Sequence, residues 1–147
     1  MHPDYLTTFM NDKVPVTKAM GITVVQSDRD GVIFKASIDA NINDKGVAFG
    51  GSLFSVASLA SWAVVDFLLK QRNMDAKIFV HTADSKFCAP VTQDFTVICP
   101  RPADDEINLF FEMIHKKGRG HLKIKSEIHE NGILAFESTA TYVAVCH

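Results

Sequence analysis

Cysteine is scarce in this chain: Cys88, Cys99 and Cys146 are the only three among 147 residues. An odd number at wide spacing makes no disulfide framework, and without a CxxC pair there is no zinc or redox motif. Free thiols suit a reducing compartment. The start, Met1-His2-Pro3-Asp4, has no basic stretch followed by an apolar run, so no signal peptide is expected and the protein is placed in the cytoplasm. A surplus of one charge is also lacking. Lys+Arg 15 against Asp+Glu 17 gives a net charge of -2, which excludes a global attraction to nucleic acid or anionic membrane. No Pro/Gly/Ser-rich linker, repeat or low-complexity tract divides the chain, so one domain over 1–147 is expected. Long apolar runs are confined to Leu53–Leu69, which Ser55, Ser58, Ser61 and Asp66 interrupt. A spanning helix needs about 20 apolar residues, and an Asp in mid-membrane is expensive.

What is present is a normal globular composition, 47% hydrophobic and 22% charged. A domain this small has little interior beyond its core, so any active site is expected to be shared between subunits. Residues 3–12 read as a short amphipathic helix, which Pro15 interrupts. Gly21 to Gln26 and Val32 to Ile38 read as strands around the turn Asp28-Arg29-Asp30-Gly31. Asn41 to Gly51 is a polar loop of a length that is often functional. It leads into a helix over Ser52 to Arg72, apolar almost all round and therefore buried, with Ser52 as its N-cap. Strands are then expected at Lys77 to Phe87, Asp94 to Cys99, Glu106 to His115, His121 to Glu130 and Ile133 to Val145. Lys116 to Gly120 forms a basic hairpin tip, and Asn131-Gly132 a two-residue turn. The class is α+β, a curved antiparallel sheet wrapped around one long helix.

That order, together with Asn43-Asp44-Lys45-Gly46-Val47-Ala48-Phe49-Gly50-Gly51-Ser52-Leu53 at the helix start, Leu59-Ala60-Ser61-Trp62, and Ala83-Asp84-Ser85-Lys86-Phe87 before Pro90, resembles the hotdog-fold thioesterases. The branch it is most similar to is sometimes found fused behind an acetyltransferase domain. The resemblance implies a hotdog fold, a homodimer or larger assembly such as a tetramer, sites at the subunit interface, and an acyl thioester on coenzyme A or a carrier protein as substrate. No cofactor is expected.

Thioester hydrolysis needs a stabilised oxyanion and an oriented water. Backbone N–H groups at a helix start meet the first need, and Gly50 and Gly51 stand where such donors would be. The resemblance gives Asn43 the task of orienting water or touching the carbonyl, although Asn is also a common turn former. Two positions depart from the commoner family pattern: Phe49 stands where many relatives have His, and Ser58 where many have an acid. A serine hydroxyl is no base without a partner of its own. Asp84 is the expected substitute, a strand acid flanked by core-like residues: the resemblance implies that its strand passes near the Gly-Gly loop of the other subunit, where it would hold the water, and burial there would raise its pKa. Asp66 reads as structural. Phe49, Ser52 and Ser55 are candidate acyl contacts, and Lys116, Lys117 and Arg119 candidate phosphate contacts for the carrier. His115 and His121 flank the basic tip without a third ligand, so no metal is expected. The leading expectation is an acyl-CoA hydrolase. The alternatives are a non-catalytic acyl-CoA or acyl-carrier binding module, and a dehydratase or hydratase, which would need a His base that the segment Asn41–Asp66 lacks.

Overall fold

The structure is a computed structural model, and residues 2–146 are described. Helix α1 (Pro3–Lys13) and the short α2 (Val16–Ala19) precede strands β1 (Ile22–Asp28) and β2 (Gly31–Ala36). The long helix α3 (Gly50–Gln71) follows, then β3 (Ala76–Phe87), β4 (Phe95–Pro100), helix α4 (Asp104–Lys117), β5 (Arg119–Glu130) and β6 (Ile133–Cys146). The six strands form one sheet in the order β1-β2-β4-β5-β6-β3, and every neighbouring pair is antiparallel.

The sheet wraps α3. Along β5 the buried residues Leu122, Ile124, Ser126 and Ile128 alternate with Lys123, Lys125, Glu127 and His129 on the wet face. Strand β2 turns Val32, Phe34 and Ala36 to the same interior. Helix α3 buries Leu53, Val56, Ala57, Ala60, Val64, Val65 and Leu68 against it. This helix is long and apolar enough to cross a membrane, but 61% of its most apolar window is packed inside the protein, as befits a core helix. The acid within it, Asp66, pairs with Lys70 one turn on at 2.7 Å.

Three expectations need correction. Glu106 to His115 is the middle of helix α4, not a strand. Ile107, Phe110, Phe111 and Ile114 recur at i, i+3, i+4 and i+7 and are all buried, which is a helical stripe. Acids in its first turn and bases in its last complement the helix dipole, and Gly118 closes it in the left-handed conformation, φ 74°. The stretch 116–120 is therefore a helix end running into β5 rather than a hairpin tip. Third, the N-cap of α3 is Phe49, not Ser52: the helix starts two residues early, and the Ser52 N–H closes back on the Phe49 carbonyl at 2.9 Å. The turn at Asn131-Gly132 forms as expected, with φ of 53° and 78°.

Candidate active site

The loop before α3 is held from inside. The Asn41 side-chain amide, buried, donates to the carbonyls of Met20 at 2.8 Å and Ser37 at 2.7 Å, and its own backbone carbonyl accepts from Phe49 N–H at 2.7 Å. Asn43 folds the tip: its Oδ1 accepts from Lys45 N–H at 2.9 Å and Val47 N–H at 3.3 Å. The carbonyl half of that amide is thus committed to the loop, while among the described residues its NH₂ group donates to none. Ala48 N–H donates to the Val91 carbonyl at 2.8 Å, which ties the loop to the connection between β3 and β4.

Phe49 enters α3 in an extended conformation, φ -61° and ψ 129°. Gly50 and Gly51 are the first two helical residues, and among the described residues nothing accepts a hydrogen bond from either N–H. Gly50 lines an open groove of about 460 Å³ together with Val47, Ala48, Leu53, Phe87 and Val91, and Gly51 is not among its lining residues. The approach is close on both glycines. A β-carbon on Gly50 would lie 3.3 Å from the Phe87 ring, and one on Gly51 2.5 Å from the ring of Phe49. Two backbone donors, the positive end of a 22-residue helix and an apolar trough make a place for a polarised carbonyl with a hydrophobic tail. No carboxylate or imidazole is among the groove's lining residues.

The other candidates are dispersed. Ser52 is buried and Ser55 half-buried on α3, and neither lines the groove. Ser58 lies about 12 Å further along the helix axis, beside Tyr142 of β6. The phenol donates its proton to the Ser58 carbonyl at 2.7 Å, so the Ser58 hydroxyl, 3.2 Å from the phenol oxygen, is the donor of that contact. Burial pushes the Tyr142 phenol above its ordinary pKa, opposed by its hydrogen bond to Ser58. Behind it Ser61 donates to the Ala57 carbonyl at 2.8 Å and sits 3.6 Å from Cys99, whose thiol burial pushes up to about 12. Tyr142 was not singled out in the sequence, and Asn41 served there only as the first residue of the polar loop.

Asp84 is not where the sequence led. Opposite it in β6 is Thr139, while its neighbours Ser85 and Phe87 pair with Ser138 and Phe136. The Ser85–Ser138 hydroxyl contact of 2.9 Å and the Phe87–Phe136 ring contact of 5.1 Å place those neighbours on the interior face. Asp84 therefore faces outward, exposed, in a surface notch with Lys86, Lys125, Glu137 and Thr139. The basic candidates separate as well: Lys116 pairs with Glu112 on α4 at 2.9 Å, whereas Lys117 and Arg119 line a different cavity. His115 and His121 stand on α4 and β5, both exposed.

A family model described as "Putative thioesterase (yiiD_Cterm)" matches residues 4–146. Among solved structures, the chain is similar to a protein of unknown function from Chlorobaculum tepidum TLS, at 26% identity and TM-score 0.92 over 99% of this chain and 97% of that one. It is similar to the putative thioesterase from Shewanella oneidensis, at 22% identity and TM-score 0.85 over 97% and 96%. It is also similar to a thioesterase from Haemophilus influenzae, at 14% identity and TM-score 0.73 over 99% and 92%. The shared architecture is the hotdog fold, an antiparallel sheet curved around one long helix.

Proposed function

The chain belongs to the thioesterase family whose model it matches over residues 4–146, and we propose that it hydrolyses acyl thioesters, acyl-CoA foremost. The observation that carries this reading is the N–H of Gly50, unpartnered among the described residues, in an apolar groove, with the likewise unpartnered N–H of Gly51 next to it in the chain. The thioester carbonyl oxygen takes these donors, and the acyl chain lies against Val47, Leu53, Phe87 and Val91. Water adds to the carbonyl carbon, the oxyanion rests on the two amides, and the carbon–sulfur bond breaks to release a carboxylic acid and a thiol. One such donor is typically worth about 3–4 kcal/mol of barrier. The free NH₂ of Asn43 is the loop's contribution to orienting carbonyl or water.

The groove supplies no base of its own, which argues for completion by a second copy. Strand β3 is a sheet edge of 12 residues with exposed Phe79, Val80 and Phe87, and such an edge is a template for pairing. In this reading, antiparallel pairing of two β3 edges brings the Ser58–Tyr142 pair of a second copy to the groove. Ser58, with its proton committed to Tyr142, then offers acceptor lone pairs to the attacking water. A homodimer is the smallest active unit in this reading. A reducing, cytoplasmic setting agrees with three free cysteines, one of them exposed.

The groove's lack of a carboxylate or imidazole favours one rival, a non-catalytic acyl-binding module on the same fold. The same lack weighs against hydratase chemistry. The deciding experiment is thiol release from a panel of acyl-CoAs of differing chain length. Release above background supports hydrolysis, and calorimetric binding of acyl-CoA without release selects the binding module.

A further inference from the structure

Two segments line the Gly50 groove: the entry to α3, and the connection from β3 to β4, which contributes Pro90 and Val91. Pro90 has no N–H to give, so this connection cannot be secured there. What secures it is remote. The Glu130 carboxylate, at the end of β5 and outside the groove, accepts from Thr92 N–H at 2.9 Å, from the Thr92 hydroxyl at 2.9 Å and from Gln93 N–H at 3.2 Å. Among the described residues no Lys, Arg or His nitrogen lies within 4.0 Å of Glu130, so the carboxylate is committed to these three donors.

One peptide group joins the two segments. The Val91 carbonyl and the Thr92 N–H belong to the same planar unit. Glu130 holds its N–H, and its carbonyl accepts from Ala48 N–H at 2.8 Å. A carboxylate on the N–H side polarises the amide and makes its carbonyl oxygen a stronger acceptor. The next N–H along the chain, that of Phe49, donates to the Asn41 carbonyl at 2.7 Å. Residues 48 and 49 are therefore each tied by their N–H, and among the described residues Gly50 is the next whose N–H is left free. We propose that Glu130 is a positioning residue for this donor: through the Val91–Thr92 peptide and Ala48 it fixes the direction of the Gly50 N–H. The inference rests on the hydrolase reading above for the use of that N–H, but the tether itself is measurable without it.

Amide hydrogen exchange and thiol release, both on the full chain, test it. Glu130→Ala is expected to speed exchange of the Ala48 amide by about tenfold, because a bond to a charged group is lost from the chain of bonds that holds it. Amides of helix α4 keep their rates. Glu130→Gln, whose carbonyl oxygen still accepts from both N–H groups, is expected to restore most of the protection and most of the rate. In an acyl-CoA assay Glu130→Ala is expected to lower kcat by about tenfold when Gly50 is intact. In a Gly50→Pro background the same change is expected to cost no more than about twofold, since the donor it positions is already gone. A general loosening of the fold would cost the same in both backgrounds. No thiol release from the unaltered chain refutes the hydrolase reading alone, and the Ala48 exchange rates then decide the tether. The proposal is overturned by unchanged Ala48 exchange in Glu130→Ala, or by an equal loss of kcat with and without the Gly50 N–H.

Discussion

Ser58 holds the place of an acid on α3, yet its hydroxyl is oriented by a phenol that burial keeps protonated. A neutral hydrogen bond to water is worth about 1 kcal/mol, so Ser58→Ala is expected to lower thiol release by about five- to tenfold. Tyr142→Phe, which frees the Ser58 proton, is expected to lower it in the same direction. Asp84→Ala is expected to leave the rate within about twofold, because an outward-facing surface side chain rarely contributes more. Steady-state assays of the three variants check this. The cysteines divide by burial: Cys88 is expected to react with a thiol reagent in the folded protein and Cys99 only on unfolding, since the buried Cys99 thiol is pushed up to about 12 and is almost wholly protonated at neutral pH. Counting labels by mass before and after denaturant decides it. At this scale the sequence was legible for the place of Gly50 and Gly51 at the start of the long helix. It misled at Asp84, where apolar neighbours suggested burial but strand parity turned the carboxylate out.

At the scale of elements, α3 was readable because an all-round apolar helix has only one use in a chain of this size. Its start was not, since Ser52 satisfies the usual N-cap preference while the loop hydrogen bonds set the true cap at Phe49. Helix α4 shows how a turn signal overrides a period. Glycines at 118 and 120 imitate a hairpin tip, although the buried stripe from Ile107 to Ile114 is helical. Gly120 has another task, the close approach of α4 to β5: a β-carbon there would lie 2.6 Å from the Phe110 carbonyl oxygen and 3.0 Å from Ile114. A backbone carbonyl cannot swing aside, so Gly120→Ala is expected to destabilise the fold by about 1–3 kcal/mol. Denaturant titration measures it, and an unchanged midpoint would refute the packing argument.

For the whole molecule, the free β3 edge and the absence of a base from the Gly50 groove lead to the same assembly. Sedimentation velocity is expected to give the mass of two chains or a multiple. Val80→Lys, a charge on the edge, is expected to yield monomers and to abolish thiol release together. An active monomer would contradict the shared site. The sheet order and the hold of Glu130 on Thr92 had no local signature, because both depend on contacts between segments far apart in the chain.

The proposed hydrolysis turns on the Gly50 N–H, and a proline at that position removes this donor. Proline is tolerated at a first helical position, and Phe49 already has the extended conformation a following proline requires. Gly50→Ala keeps the N–H and controls for the new β-carbon near Phe87. In an acyl-CoA thiol-release assay, Gly50→Pro is expected to lose about a hundredfold in kcat relative to Gly50→Ala. Equal rates for the two variants would show that the Gly50 N–H does not hold the oxyanion.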